Sequence, residues 1–360
     1  MNKKRIGVIF GGRSGEHEVS LMSAASVISA LNRELYDLVF FGITKEGTWL
    51  LYDGPEEHIA DGSWQKLAEE ALQREPEKYT VIVMGTGNHS LKSRIDFAYP
   101  VLHGPYGEDG TVQGLFELMG IPYAGCGVAA SAVCMDKGMA KAVFAQGKLP
   151  QAKHCMVCRE ELEQCFEETI RGIMEQIPFP LFVKPANMGS SVGIGKASNE
   201  QELRNAISQA AEFDRRIVVE EFISCREIET AVVGNFEPEV AAVGEILSEA
   251  EFYDYEAKYL SGQRTRLQIP ADLTEEQTER IRSMAKKAYE LTDCCGYARV
   301  DFFMDKHTGQ IYLNEINTIP GFTQYSMFPG LWKAKGVDHS ELTERIIALG
   351  YERYYAKNRR

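Results

Sequence analysis

The stretch ARVDFFMDKHTGQIYLNEIN, residues 298–317, holds two apolar runs joined by Lys-His-Thr-Gly. Side chains two apart on a strand share a face, so Glu315 and Asn317 project together. A hairpin brings Asp301 across the ladder to meet them. Two carboxylates and an amide oxygen are hard donors, the kind of set that holds Mg²⁺ together with phosphate or water oxygens. The plainer alternative is a solvated hairpin face. The flanking VDFF and IYL are too apolar for a hairpin wet on both sides, which favours the metal.

A second stretch, FVKPANMGSSVGIGKA at 182–197, puts Lys184 before a run of small residues. Backbone N–H groups at Gly189, Ser190, Ser191 and Gly193 can approach an anion closely there, with Lys184 as a point charge. No GxxxxGK[ST] is present, and the alternative is an exposed turn. FGGRSGEHEVS at 10–20 opens a helix but lacks the G-x-G-x-x-G spacing. Glu16 there is either a partner of the helix dipole or a ligand for an ammonium group. VLHGPYGEDGT at 101–111 sets His103 at a strand end, where α/β proteins bind ligands, although a lone histidine is more often structural. Cys155 and Cys158 form a single CxxC with no second pair and no histidine at ligand spacing. That predicts thiols in a reducing compartment rather than a zinc or redox site.

These residues need elements to hold them. RIGVIF (5–10), DLVFFGI (37–43), TVIVMG (80–85) and IDFAYPVL (95–102) read as strands. Leu21, Ala24, Ala25, Ile28 and Leu31 share one helical face, and GTVQGLFELMG is a helix that Gly120 stops. This alternation predicts a doubly wound α/β domain of about 125 residues. Helices follow at 135–148 and 159–176, then FPLFVKP and SVGIGKA as a hairpin, a helix at 201–213, and the strand RIVVEEFI. Beyond about 220 strands dominate, with a helix capped by Thr274 and Gln277. Residues 248–270 are aromatic, charged and without a period, which suits a mobile loop or lid.

A chain of 360 residues predicts two or three units. Its formal net charge of −13 argues against nucleic acid or an anionic membrane as the main partner. The apolar run before Gly11 is too short for a signal peptide, and nothing approaches the roughly 20 apolar residues of a membrane span. The expectation is a cytoplasmic protein.

In chain order, FGGRSGEHEVS, LHGPYGEDGT, MDK, KPANMGSSVGIGK, FYDYEAKY, ARVDFF and LNEINTIPGFTQYSMFP resemble the motifs of D-alanine–D-alanine ligases of the ATP-grasp superfamily. The likeness covers about residues 5–345, and the last motif is the most specific. It implies an ATP-grasp fold of mixed α/β and α+β type, with an N-terminal doubly wound α/β domain at 1–126, a central subdomain at 127–219, and a C-terminal subdomain at 220–360 carrying a catalytic loop at 247–266. It implies ATP and two Mg²⁺ (or Mn²⁺), two molecules of D-alanine, and a homodimer. The reaction implied is phosphorylation of one D-alanine to an acyl phosphate, which the amine of the second attacks, for peptidoglycan precursor synthesis.

The same resemblance implies residue roles. Lys137, Lys184 and Lys258 meet ATP phosphates, and Ser190 lies in the phosphate loop. Glu220 meets the adenine amino group, Phe222 and Ile223 the base, Glu227 the ribose, and Phe303 and Asn314 the nucleotide. Asp301, Glu315 and Asn317 hold the metals. Arg299 and the backbone of Gly321 face the oxyanion. Glu16 and His103 anchor the first D-alanine, Ser326 and Met327 the second, and Ser190 and Tyr259 link the closing loops to Glu16. In relatives that use D-serine or D-lactate an arginine commonly stands at the position of Met327, and the lactate users lack the tyrosine of EAKY. The pair Met327 and Tyr259 thus implies D-alanine. Departures are Phe222 where many relatives have Trp, and Cys225-Arg226 where Gly-Pro is common. The competing readings are a ligase for D-lactate or D-serine, an oxidoreductase binding a dinucleotide on the N-terminal domain, and a silent nucleotide-binding protein.

Overall fold

The computed structural model describes residues 3–189, 192–247 and 266–359. Ser190, Lys258, Tyr259 and most of the expected loop at 247–266 lie outside the described residues.

The first sheet has the order β3-β2-β1-β4. β1 (Lys4–Gly11) lies at its centre, parallel to β2 (Tyr36–Ile43) and β4 (Phe97–Val101), and β3 (Trp49–Tyr52) adds an antiparallel edge. β1 is apolar almost throughout because helices cover both faces of a parallel sheet. The helix His17–Ala30 buries Leu21, Ala24, Val27 and Ile28. The helix Thr111–Met119 ends at Gly120 with φ 60°, as its sequence predicts.

One expected strand is absent. Residues 80–85 make a single bridge from Ile82 to Ser90, and the fourth strand of the sheet is Trp49–Tyr52 instead. The apolar run in TVIVMG is short and half exposed. It gives way at once to Gly85 and Gly87, both at positive φ, which turn the chain before a ladder can form.

The second sheet is antiparallel, in the order β5 (His154–Cys158), β8 (Arg216–Glu221), β6 (Leu181–Pro185), β7 (Gly195–Ala197). The helices Arg159–Gln176 and Glu200–Phe213 cover one face, with Ile170, Ile173, Leu203 and Ile207 packed on Leu181, Val183, Ile217 and Val219. The hairpin around the small-residue loop is present, but β7 begins only at Gly195.

The third sheet runs β11 (Arg266–Gln268), β10 (Glu239–Leu247), β9 (Cys225–Val233), β12 (Tyr297–Asp305), β13 (Ile311–Asn317), all antiparallel. The helix Glu275–Leu291 starts at the capping box of Thr274 and Gln277 and buries Ile281, Met284, Ala285, Ala288 and Tyr289 against Val300, Phe302 and Met304. Ala130, Cys134, Ala140 and Phe144, from the helices Val128–Met135 and Lys137–Gln146, join that same core. The opposite face meets Phe328, Leu331 and Trp332, and this core is continuous with Ile6, Val8 and Phe10 of the first sheet.

β13 carries the local irregularity that matters most. Asp301 pairs with Glu315, but the next residue, Phe302, pairs with Leu313, so Asn314 is an extra residue in its strand. Ile311 and Leu313 point to the core before this bulge, and Ile316 after it. The bulge therefore turns Glu315 and Asn317 to the same open face as Asp301.

Candidate active site

Three rows of side chains cross the open face of the third sheet. Phe303 of β12 pairs with Glu227 of β9. Asp301 pairs with Glu229 on one side and Glu315 on the other. Arg299 pairs with Asn317. Alternation along β12 makes this face polar while Val300, Phe302 and Met304 are buried behind it.

Asp301 is held by Arg299, with Nε donating to Oδ1 and Nη2 to Oδ2, both at 2.7 Å. Asn317 Nδ2 donates to Asp301 Oδ2 at 2.9 Å. Glu229 Oε2 lies 3.0 Å from Arg299 Nε. Burial opposes the Arg299 charge, but Asp301 and Glu229 outweigh it and keep the guanidinium protonated. Lys137 Nζ is 3.7 Å from Glu315 Oε2 and donates to the carbonyl of Met188 at 2.8 Å. The donor chemistry here fits a hard divalent cation. Two carboxylates and an amide sit on one face, and half a turn of the Asn317 amide presents its oxygen. Among the described residues no group of three or more His, Cys, Asp or Glu forms a metal cluster by itself.

Across the cleft, the second sheet presents a different group. Lys184 Nζ contacts Glu220 Oε2 at 2.6 Å, and Lys141 Nζ contacts Oε1 at 2.7 Å. All three are buried. Burial pushes the Glu220 carboxyl up, yet the two ammonium groups hold it well below its ordinary range. Lys141 was not singled out from the sequence; its signal was the i, i+4 spacing from Lys137 on one helix. Phe222 packs on Phe182 at 5.8 Å between ring centres, with Lys196 over its face at 4.4 Å. Lys137, Lys184, Glu220, Phe222, Ile223, Glu227, Phe303, Asn314, Glu315 and Asp301 all line one cavity, so the structure brings the expected nucleotide and metal residues together.

The base of the small-residue loop is tied down. Asn187 N–H donates to Asp214 Oδ2 at 2.7 Å, its amide to Asp136 Oδ2 at 3.2 Å, and Lys137 N–H to the carbonyl of Ala186 at 2.9 Å. The loop then runs against Glu16. A Cβ at Gly189 would lie 2.6 Å from Glu16 Oε2, and one at Gly104 2.9 Å from it. A side chain at either position would displace the Glu16 carboxylate, and Gly104 also has φ +71°.

A second cleft shares Glu16, Glu229, Arg299, Glu315 and Asn317 with the first and adds His103, Gly321, Ser326 and Met327. His103 is buried. Its Nδ1 lies 2.8 Å from the carbonyl of Ile319 and its Nε2 3.2 Å from Ser23 Oγ. Burial holds the imidazole below its usual range, although Glu16 pulls the other way. A neutral ring with the proton on Nδ1 satisfies both contacts. Glu108, also missed by sequence reasoning although it lies inside HGPYGEDG, grips the same residue: Oε1 accepts from Ile319 N–H at 3.0 Å and Oε2 from Gly104 N–H at 2.8 Å. Burial and the Glu16 charge push its carboxyl up to about 8. The loop after β4 thus fastens the segment after β13 by both backbone groups of Ile319. Ser326 starts the helix Met327–Ala334 and accepts from Thr323 N–H at 3.1 Å. A Cβ at Gly321 would lie 3.2 Å from Ser326 Oγ, and Met327 is buried.

Comparison with known proteins agrees with this geometry. The family model described as D-ala D-ala ligase N-terminus matches residues 5–126, and that described as D-ala D-ala ligase C-terminus matches residues 143–348. A D-alanine–D-alanine ligase of Ruminiclostridium cellulolyticum is 49% identical over 364 residues, covering 98% of this chain and 97% of that protein. One of Thermoanaerobacter pseudethanolicus is 48% identical over 359 residues, covering 100% and 99%. Among solved structures, the VanG D-Ala:D-Ser ligase of Enterococcus faecalis has a TM-score of 0.84 at 36% identity, with 97% of this chain and 100% of that one covered. The D-alanine-D-alanine ligase of Coxiella burnetii has a TM-score of 0.83 at 32% identity, with 99% and 96% covered. The mixed α/β architecture is that of these enzymes, an ATP-grasp fold. The chain belongs to the D-alanine–D-alanine ligase family.

Proposed function

We propose that the protein joins two molecules of D-alanine at the expense of ATP, through an acyl phosphate, to supply the dipeptide for peptidoglycan precursors. The observation that carries this reading is the meeting of the cavity lined by Lys184, Glu220 and Phe222 and the cleft lined by His103 and Ser326 at one wall, Arg299, Glu315 and Asn317.

Lys184 and Lys137 neutralise the phosphates of ATP, and the backbone after Met188 closes over them. Glu220 orients Lys184 and Lys141, and its oxygens keep lone pairs that can also accept from the adenine amino group. Phe222, Ile223 and Phe303 pack on the base, Asn314 completes that wall, and Glu227 meets the ribose. Asp301, Glu315 and Asn317 would hold two Mg²⁺ (or Mn²⁺), which would supply neutralisation of phosphate charge. Glu16 takes the ammonium of the first D-alanine, and His103 and Glu108 position that end of the cleft. Attack of the second amine on the acyl phosphate moves an electron pair onto the carbonyl oxygen, and Arg299 and the Gly321 N–H face that developing charge. Ser326, at a helix start, orients the carboxylate of the second D-alanine, and apolar Met327 adds no competing cation. Lys258, Ser190 and Tyr259 complete the closed site in this proposal, and exclusion of water protects the acyl phosphate. The division at 126 and 219, the homodimer and the cytoplasmic setting belong to the same proposal. Among the described residues no helix is long and apolar enough to cross a membrane.

The test is ADP formation with ATP, Mg²⁺ and equimolar D-alanine, D-serine and D-lactate, with products separated by mass. D-Alanyl-D-alanine as the main product, its share growing with pH as more amine is deprotonated, is expected. Mostly D-alanyl-D-serine or D-alanyl-D-lactate near neutral pH would move the assignment to the corresponding relatives. ADP formation without any D-amino acid would remove the ligase reading.

A further inference from the structure

The Nε of an arginine carries one hydrogen. In Arg299 that hydrogen goes to Asp301 Oδ1 at 2.7 Å, while Glu229 Oε2 lies 3.0 Å from the same nitrogen. Glu229 and Asp301 are cross-strand partners on β9 and β12, so their carboxylates flank one guanidinium from adjacent strands. Glu229 is buried and lines both the nucleotide cavity and the amino-acid cleft.

Asp301 has two claims on it. It carries both Arg299 donors, and in the function proposed above, on which this inference rests, it also holds the divalent cation. Its oxygens already accept three donors, so a metal on either one weakens the hold of Asp301 on the guanidinium. A partly buried guanidinium that loses its anion is disfavoured unless another is at hand. We infer that Glu229 is a positioning residue that takes over the Arg299 Nε–H when Asp301 turns to the metal, so that Arg299 stays aimed at the amino-acid cleft. Glu229 also lowers the cost of releasing Asp301, which links metal binding to the set of the arginine. The signal in sequence was the i, i+2 spacing of Glu227 and Glu229, which places both on one strand face.

The experiment is a double-mutant cycle with Glu229→Gln and Arg299→Met. Mn²⁺ binding is followed by electron paramagnetic resonance on the full chain with a non-hydrolysable ATP analogue, beside steady-state kinetics and thermal melting. Glu229→Gln should keep its fold and its KM for ATP. Its kcat should fall about tenfold to a hundredfold, as loss of aimed charge stabilisation commonly costs. Mn²⁺ affinity should fall about threefold to tenfold, and Glu229→Asp should recover part of both. On the Arg299→Met background the same change at 229 should alter Mn²⁺ affinity less than about twofold, because the residue acts through the arginine. An equal loss of Mn²⁺ affinity on both backgrounds would reduce Glu229 to a nearby charge and overturn the inference, as would an unchanged kcat. A parent enzyme without D-alanine-dependent ADP formation overturns the ligase reading, and this inference with it.

Discussion

Beside the second sheet two ammonium groups, Lys141 of the helix Lys137–Gln146 and Lys184 of β6, close on the single carboxylate of Glu220 at 2.7 and 2.6 Å. On the third sheet the single guanidinium of Arg299 stands among Glu229, Asp301 and Glu315. The first cluster keeps a positive excess and the second a negative one. Their local geometry differs as well. In the lysine cluster Lys184 and Glu220 sit on regular antiparallel strands and Lys141 on the helix Lys137–Gln146, buried and closed, with each carboxylate oxygen held. The arginine cluster sits beside a bulge, faces two clefts, and has more acceptors than its cation needs. A wall of the first kind suits a phosphate that arrives and leaves without rearranging it. A wall of the second kind suits a cation whose arrival redistributes partners. ATP with its metal needs both kinds on opposite sides.

This contrast can be broken at four points. The largest effect is expected at Glu220. Glu220→Gln leaves two buried ammonium groups without their anion and should cost about 3–5 kcal/mol in urea unfolding. A loss below about 1 kcal/mol would mean that the lysine cluster is not closed in solution. Next comes Glu315→Ala, which should lower ADP formation by about a hundredfold or more with unfolding unchanged. Near-parental turnover at saturating Mg²⁺ would remove the negative wall from the chemistry.

A pH series sharpens the same point. The folded Glu220 carboxyl lies below its ordinary value of 4.5. Its contribution to stability is therefore present above that value and lost as pH falls below it. The stability gap between the parent and Glu220→Gln should narrow from about pH 5 to pH 3, and a gap that stays constant contradicts the assigned cause. The smallest effect is expected at the clamp outside both walls. His103→Gln removes the ring contacts to Ile319 and Ser23 and should cost about 1 kcal/mol per bond in the same urea assay.

Much of this was legible in the sequence for stated reasons. ARVDFFMD and IYLNEIN declare a hairpin by alternation, and the capping box at Thr274 declares a helix start. The quoted motifs placed Asp301, Glu315, Asn317, Lys184 and Glu16 in one cleft. The TVIVMG segment misled because a short apolar run says nothing about whether a sheet has a place for it. The bulge at Asn314 left a trace, since the core positions 311, 313 and 316 break the period of two, but its effect on Glu315 needs the register to be seen. Lys141, Glu108 and Glu229 were missed because their roles lie in partners distant in sequence. Only packing puts Lys141 on Glu220, Glu108 on Ile319, or Glu229 beside Arg299.

The most direct test of the central claim follows an oxygen atom. D-Alanine labelled with heavy oxygen in its carboxyl group is incubated with the enzyme, ATP and Mg²⁺, and the released phosphate is weighed by mass spectrometry. Activation through an acyl phosphate predicts one heavy oxygen in the phosphate for each dipeptide formed. Dipeptide formed with unlabelled phosphate would contradict the account.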